Sequence, residues 1–134
     1  MKTILRVKDV MKTTCCTIDG AATIHDALLA MREHKTSVLV VNKRHDDDEF
    51  GMITSTDIAR HVLSKDRSPH RVNVYEVMAC PVITVAPEMD IKLCSRLFDR
   101  YSLVRAPVID NQGKLVGTIS PNALVLQGLY QIYG

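Results

Sequence analysis

Apolar residues recur at helical spacing in two stretches of the chain, one in each half. The apolar face of the first stretch consists of Ile24, Ala27, Leu28 and Met31, at positions i, i+3, i+4 and i+7. Thr23 and Asp26 resemble a capping box in which Asp replaces the usual Glu, so a helix is predicted to begin here. The second stretch follows Asp90, and its apolar face consists of Ile91, Cys94, Leu97 and Phe98. The pattern therefore predicts two amphipathic helices.

A short apolar run after the first helix predicts a buried strand. Ser37–Asn42 is continuous and rich in β-branched residues, as expected of a strand that is buried on both faces. A charged loop over residues 43–49 separates it from a second predicted strand at about residues 50–54. A closing helix is predicted from about Ser55 to Ser64.

The second half contains the same order of features. An apolar run over residues 106–110 is followed by a tight turn that ends at Gly113, and a further run leads to Ser120. Ser120 and Pro121 are a favoured pair at the N-cap and the first position of a helix. Each half is therefore predicted to fold as β-α-β-β-α, preceded by one short turn.

The chain is an internal duplication. Val7–Met11 and Val74–Met78 share the pattern Val-x-(Asp/Glu)-Val-Met and lie 67 residues apart, half of the 134-residue length. A duplicated unit of this size does not usually bury its apolar face alone, so the halves are expected to pack with pseudo-twofold symmetry. We place the first repeat at residues 1–65, a linker at 66–73 and the second repeat at 74–134. The predicted fold class is α/β in the broad sense (α+β), with a ligand cleft at the seam.

Composition and charge exclude several classes of function. No apolar run approaches the roughly 20 residues of a membrane span, and the first six residues lack the apolar core of a signal peptide. A cytoplasmic protein is therefore expected. The net charge of +2, basic residues spread along the chain, and two Phe, four Tyr and no Trp argue against nucleic acid as a partner.

Neither the cysteines nor the acidic loop predicts a metal or catalytic site. Cys15 and Cys16 are adjacent and do not form a Cys-x-x-Cys pair, while Cys94 falls on an apolar face. The loop from His45 to Glu49 lacks the calcium-loop pattern, so a solvated turn is the better interpretation. An enzyme with Cys15 or Cys16 as nucleophile and a histidine base is the weakest hypothesis, because no nucleophile motif surrounds these residues.

The segment Gly51–Ile58 combines features that suit a nucleotide. Thr54, Ser55 and Thr56 place three hydroxyls at a strand-to-helix junction, where unpaired N–H groups and the helix dipole attract phosphate. Asp57 lies in the first helical turn, where its carboxylate can accept hydrogen bonds from a ribose diol. The alternative is that Thr54 and Asp57 only cap the helix. The residues alone leave both interpretations open.

The two halves resemble a tandem pair of cystathionine-β-synthase (CBS) domains, the Bateman module. The family pattern Gly-x-(Ile/Val)-(Thr/Ser)-x-x-Asp is matched fully by Gly51, Thr54 and Asp57, and partly by Gly117 and Ser120. The sequence Ala-Pro-Val-Ile-Asp over residues 106–110 resembles the family's strand with its preceding proline. The resemblance covers about residues 4–129.

This resemblance implies a non-catalytic regulatory module that binds an adenosyl ligand: AMP, ADP, ATP or S-adenosylmethionine. It implies no tightly bound cofactor. In the family, the Thr or Ser and the Asp of one repeat hold phosphate and ribose, and adenine rests against the other repeat. Carried onto this chain, the ligand-binding residues are Met52, Thr54, Asp57, Met78, Ile83, Leu103, Val104, Arg105 and Ala106. Arg105 is expected to offer its guanidinium to phosphate; a surface arginine is the alternative.

The corresponding site of the second repeat departs from the family pattern. Position 123 is Ala where the first repeat has Asp57, and Pro121 removes one backbone donor. Without the carboxylate a ribose diol loses a charge-assisted hydrogen bond, so we expect this site to be weak or empty.

The predicted function is sensing of an adenosyl ligand by a homodimer that signals energy or metabolite state to a separate, unidentified effector protein. The apolar stretch over residues 124–133 would form an exposed patch in a monomer, which favours dimer formation. The alternative is a dimeric scaffold of the same fold that has lost ligand binding, and the retention of Asp57 argues against it. Neither nucleic acid nor a membrane is expected as a partner.

Overall fold

The computed structural model describes residues 4–134, which form two compact units. Unit 1 comprises the described residues up to Cys15 together with Ile83–Gly134, and unit 2 comprises Cys16–Val82. The segment that opens the chain therefore packs with the second half of the sequence. The predicted boundaries of the two sequence repeats stay a prediction. The first six residues, which lack the apolar core of a signal peptide, lie partly outside the described residues.

The fold is a mixed α+β fold with small sheets, as predicted. In chain order its helices and strands are α1 (Val7–Val10), β1 (Thr17–Ile18), α2 (Ile24–His34), β2 (Val38–Val41), β3 (Gly51–Thr54), α3 (Ser55–Ile58), α4 (Ile91–Tyr101), β4 (Ala106–Ile109), β5 (Leu115–Ile119), α5 (Pro121–Ala123) and α6 (Tyr130–Tyr133). A 3-10 turn covers Val74–Glu76. α3 continues as a π-helix over Ala59–Leu63, and α5 continues as one over Leu124–Leu129. The same irregularity thus follows both closing junctions, although π-helices are rare.

Sheet topology differs slightly between the two units. In unit 2 the strand order is β1-β2-β3, with β1 parallel and β3 antiparallel to β2. In unit 1, β4 and β5 form an antiparallel pair, and a single parallel bridge from Val85 to Val108 takes the place of a first strand. The predicted order β-α-β-β-α is therefore present in both halves, with the first strand of the second half reduced to one bridge.

Both predicted amphipathic helices are present, each with a capping side chain at its start and a buried apolar face. The Oγ1 atom of Thr23 accepts a hydrogen bond from the Asp26 N–H at 3.1 Å, and the Thr23 N–H donates to Asp26 Oδ2 at 3.0 Å. This is the reciprocal capping box that the sequence predicted. On α2 the predicted apolar face packs into the core at Ile24, Ala27 and Met31. Leu28 was also predicted on this face, but it lies at the edge of the face and is 39% exposed. On α4 the buried positions are Ile91, Cys94 and Phe98.

Each unit has its own apolar core. The core of unit 2 is built on Ile24, Leu39 and Ile53, which are fully buried. The core of unit 1 includes Val7 and Val10 of α1, which are 0% and 1% exposed. Since burial of a Val side chain stabilises a fold by about 1.5–3 kcal/mol, the opening segment is an integral part of unit 1.

In each unit the opening segment, which is the Val-x-(Asp/Glu)-Val-Met motif and the residue after it, pairs with the last strand. The pairing lies next to the glycine of the family pattern, Gly117 in unit 1 and Gly51 in unit 2. Lys12 and Thr118 exchange two backbone hydrogen bonds of 2.9 Å, and Ala79 and Met52 do the same at 2.9 Å. A Cβ atom at Gly117 would lie 2.7 Å from Met11 Sδ and 2.8 Å from the Lys12 carbonyl oxygen. Only glycine therefore allows the opening segment to approach this closely.

We expect Gly117→Ala to lower the free energy of unfolding by about 1–3 kcal/mol. The new Cβ atom would clash with the Lys12 carbonyl, which cannot move away because it is hydrogen-bonded to Thr118. The matched control is Gly20→Ala, whose Cβ would lie 3.4 Å from Tyr75 Cβ, an ordinary contact. Urea denaturation checks both variants. Equal stabilities for the two variants would show that the close approach is not a constraint.

Candidate functional site

Thr54 and Asp57 form a closed hydrogen-bonded pair where β3 ends and α3 begins. The Thr54 N–H and the Thr54 hydroxyl donate to Asp57 Oδ2 at 3.0 and 2.9 Å. The Asp57 N–H in turn lies 3.2 Å from Thr54 Oγ1. Both side chains are half-buried. The two bonds to Oδ2 therefore fix the orientation of the Asp57 carboxylate, and the third completes the reciprocal cap.

The capping interpretation is confirmed, and it leaves part of the carboxylate unused. The two contacts that reach the carboxylate both end on Oδ2, and within residues 4–134 no hydrogen bond reaches Asp57 Oδ1. The next two residues, Ser55 and Thr56, are exposed and present their hydroxyls beside the junction. The junction thus offers one pre-oriented carboxylate oxygen and two exposed hydroxyls.

Two other predicted site residues lie in unit 2. Met52 is half-buried on β3, where its backbone pairs with Ala79. Met78 lies at the other end of β3, where its Sδ atom is 2.9 Å from the position that a Cβ of Gly51 would occupy. Met78 therefore lines a different part of unit 2 from the Thr54–Asp57 pair.

The cavity that Met78 lines has a volume of about 720 Å³, and its other lining residues include Asp19, Asn42, Arg44, Asp48, Tyr75 and Cys80. Its polar groups largely satisfy one another. Arg44 Nε donates to Asp48 Oδ2 at 2.9 Å, and Asn42 Nδ2 donates to Asp19 Oδ1 at 3.1 Å. The Arg44 guanidinium holds the pKa of the Asp48 carboxyl well below its usual range.

Two of the cysteines have thiols of low reactivity, and the acidic loop forms no metal-binding group in the described part of the chain. Burial raises the pKa of the Cys94 thiol to about 11, and burial raises that of Cys80 as well. Both thiols are therefore protonated near neutral pH and are weak nucleophiles. Among residues 4–134 no three His, Cys, Asp or Glu side chains lie together as a metal site would require.

The remaining predicted site residues lie in unit 1. Ile83 and Leu103 are half-buried, Val104 is 67% exposed, and Ala106 is fully buried opposite Ile119. Arg105 is half-buried, and its Nη1 atom donates to Thr118 Oγ1 at 3.2 Å. The assembly of these five residues with Thr54 and Asp57 into one site stays a prediction.

Arg105 lines a cavity of about 460 Å³ in unit 1, together with Val10, Met11, Lys12, Thr118, Ser120, Asn122, Ala123, Leu126 and Gln127. Ser120 and Ala123 occupy the positions that correspond to Thr54 and Asp57. Ser120 caps the helix as predicted, with its Oγ atom 3.4 Å from the Ala123 N–H. Met11 and Lys12 were not among the predicted site residues, although their place at the end of the duplicated opening motif was a usable signal.

The two units define a protein built from a tandem repeat, with a hydroxyl at each strand-to-helix junction. The sequence model of the CBS domain matches residues 7–64 and 74–126. The chain therefore belongs to the CBS domain family, and the resemblance is confirmed.

Curated relatives share this region. The chain is 31% identical over 115 residues to an uncharacterized protein of Methanopyrus kandleri, and the match covers 85% of this chain but only 58% of that protein. It is 30% identical over 114 residues to the CBS domain-containing protein YhcV of Bacillus subtilis, covering 85% and 79% of the two chains. A match to L-aspartate semialdehyde sulfurtransferase of Methanosarcina acetivorans, at 35% identity, spans only 22% of that enzyme. The chain thus corresponds to a part of several larger relatives.

Solved structures have the same fold. The hexameric CBS-CP12 protein from bloom-forming cyanobacteria superposes with a TM-score of 0.89 at 35% identity, covering 96% of this chain and 71% of that chain. The CBS domain pair of protein MJ0100, solved with 5′-methylthioadenosine and S-adenosylmethionine, superposes with a TM-score of 0.81 at 22% identity, covering 96% and 99%. Across residues 4–134, no helix has both the length and the apolar character of a membrane span.

Proposed function

We propose that this protein is a non-catalytic regulatory module that binds an adenosyl ligand through Thr54 and Asp57. The observation that carries the proposal is the Asp57 carboxylate, whose Oδ2 atom is fixed by Thr54 while Oδ1 has no partner among the described residues. A vicinal ribose diol carries two O–H donors, and charge-assisted bonds to a carboxylate are the strong class of hydrogen bond. Since the carboxylate is already oriented, little ordering cost opposes binding.

The surroundings of the pair suit the rest of such a ligand. The exposed hydroxyls of Ser55 and Thr56 lie beside the start of α3 and can donate hydrogen bonds to a phosphate. The half-buried Met52 offers a polarizable apolar surface for adenine. The residues of unit 1 that the family resemblance adds, including Arg105, belong to the same proposal.

The fold gives independent support for the class of ligand. The CBS domain pair of protein MJ0100 holds 5′-methylthioadenosine and S-adenosylmethionine, which share an adenosine. AMP, ADP, ATP and S-adenosylmethionine all carry the ribose that Asp57 would bind. We propose that the protein transmits ligand binding to an effector protein.

We expect adenosine and AMP to raise the melting temperature of the protein. At 100 times the dissociation constant the stabilisation would be about 2.7 kcal/mol by mass action. Asp57→Asn keeps an oxygen for the helix cap and removes the charge, so it should weaken binding by about 1.5–3 kcal/mol. Calorimetry checks the affinity, and Asp47→Asn in the exposed loop is the matched control. If no adenosyl compound at millimolar concentration moves the melting transition, the scaffold alternative holds instead.

We further propose that the protein self-associates through the apolar face of its C-terminal helix. Five large side chains there are about half or more exposed: Val125, Leu126, Leu129, Tyr130 and Tyr133, at 51%, 67%, 48%, 69% and 74%. Residues 121–134 contain no charged side chain, so two copies can meet without repulsion. An exposed apolar patch of this kind is typical of an interaction site.

Tyr130→Glu should convert the dimer into a monomer, because it places a charge in the centre of this face. Tyr75→Glu is the matched control, since Tyr75 is a similarly exposed tyrosine of unit 2. Sedimentation equilibrium measures the mass of each variant. A monomeric unaltered protein, or a dimer that survives Tyr130→Glu, would contradict self-association through this face.

A further inference from the structure

We propose that the cavity of about 720 Å³ in unit 2 is a second ligand site, which takes an aliphatic amine with more than one ammonium group. The cavity lies at the edge of the sheet where β1 and β2 end and β3 begins, whereas Thr54 and Asp57 lie where β3 ends. The proposal therefore goes beyond the adenosyl site. The volume falls within the range of about 300–1,000 Å³ that small-molecule sites occupy.

The topology of unit 2 builds the wall of this cavity. Asp19 follows β1, Asn42 follows β2, and Gly51 opens β3. Because β1 is parallel and β3 antiparallel to β2, these three positions meet at one edge of the sheet. The Tyr75 N–H donates to the Gly20 carbonyl oxygen at 3.0 Å, which holds the 3-10 turn against the same edge. Backbone pairing thus fixes the position of each side of the cavity.

The charge balance of the cavity is negative. Its charged lining residues are three carboxylates and two cations: Asp19, Asp48, Glu49, Lys43 and Arg44. The Arg44 guanidinium is bound to Asp48, and Lys43 Nζ lies 5.3 Å from the centroid of the Phe50 ring, which does not line the cavity. Within residues 4–134 neither Asp19 nor Glu49 forms an ion pair. Two uncompensated carboxylates on a concave surface raise the local concentration of cations.

The thiol of Cys80, which lines the cavity, supports this charge balance. Burial raises the pKa of Cys80, and the negative charges of Asp48 and Glu49 raise it further, although Arg44 opposes them. The Cys80 Sγ atom lies 3.7 Å from the Glu49 carbonyl oxygen, so the thiol is close to the acidic loop. The electrostatic potential at this wall is therefore negative despite the two cations.

Asp19 is held ready for a cation. The Asn42 side-chain amide donates to Asp19 Oδ1 at 3.1 Å, and in the described part of the chain no other hydrogen bond reaches this carboxylate. Oδ2 is thus available on a side chain whose orientation is already restricted. An ammonium group that binds there makes a charge-assisted hydrogen bond at little ordering cost.

The remaining lining residues suit an aliphatic chain between ammonium groups. Val41, Met78 and the 59% exposed Tyr75 supply apolar surface, and the Tyr75 ring can also attract an ammonium group through its face. Among residues 4–134 no three His, Cys, Asp or Glu side chains lie together as a metal site would require. The negative charge is therefore spread along the wall, which suits separated ammonium groups better than a single metal ion.

The test is a titration of the isotope-labelled protein with spermidine at fixed pH and ionic strength, followed by amide chemical shifts. We expect saturable shifts at residues 19–21, 42–44 and 75, and none at residues 54–58. Butylamine, which has one ammonium group, should bind at least about fivefold more weakly, and the neutral 1,4-butanediol should cause no shifts. Asp57→Asn should leave spermidine binding unchanged, so this result does not depend on the adenosyl proposal.

Variants of the cavity sharpen the test. Asp19→Asn and Glu49→Gln should each weaken spermidine binding by about 3-fold to 10-fold, because each removes one ion pair in a partly exposed cavity. Tyr75→Leu should weaken it by about 2-fold to 5-fold through the loss of the cation–π contact, and Lys43→Gln should strengthen it. Asp47→Asn is the matched control, because Asp47 is an exposed carboxylate of the same loop outside the cavity. Melting temperatures confirm that each variant is folded.

Three results would overturn the proposal. Spermidine at millimolar concentration could cause no shifts in the folded protein. Its affinity could fall as much in Asp47→Asn as in Asp19→Asn, which would indicate general attraction to the acidic loop. Butylamine or 1,4-butanediol could bind as tightly as spermidine, which would show that the cavity does not recognise paired ammonium groups.

Discussion

The backbone pairing between each opening segment and the last strand of its unit is the constraint on which both strand-to-helix junctions depend. Lys12 and Thr118 are joined by two hydrogen bonds, and Ala79 and Met52 are joined in the same way. In each case a motif glycine removes the Cβ atom that would keep the segments apart. This pairing fixes the strand whose end carries Ser120 in unit 1 and Thr54 in unit 2. The junction hydroxyls are therefore positioned by contacts that are distant in sequence.

The strand-to-helix junctions of the two units have equivalent positions in the repeats but carry different side chains. In unit 2 the junction carries a carboxylate with one oxygen available, and it suits a diol. In unit 1 the carboxylate is replaced by Ala123, and Arg105 and Lys12 bring positive charge to the same region. The equivalent junctions of the two units therefore present different chemical groups.

Local features were predictable from the sequence, and long-range ones were not. The cap at Thr23, the N-cap Ser120 and the tight turn at Gly113 all depend on residues within a few positions, and each is found as predicted. The packing of the opening segment into the core of unit 1 depends on pairing with residues at the far end of the chain. Helical periodicity alone could not place Leu28 at the surface. The periodicity identifies the apolar face of the helix, but it does not tell how much of that face the core covers.

The candidate site shows the same division. The pattern of Gly51, Thr54 and Asp57 identified the junction, and the hydrogen bonds of the pair agree with its predicted role as a cap. Lys12 was missed because its place in the cavity follows from pairing with Thr118, which is distant in sequence, and the duplicated motif before it was the one usable signal. The position of Arg105 beside Thr118 likewise depends on the register of β4 against β5.

The most direct test of the central claim is a titration of the isotope-labelled protein with adenosine, followed by amide chemical shifts. Adenosine has a ribose and no phosphate, so it isolates the contact with the Asp57 carboxylate. The account predicts that the largest shifts occur at Thr54–Ile58, while the corresponding amides of Ser120–Leu124 stay unchanged. Shifts of equal size at both junctions, or none at Thr54–Ile58, would contradict it.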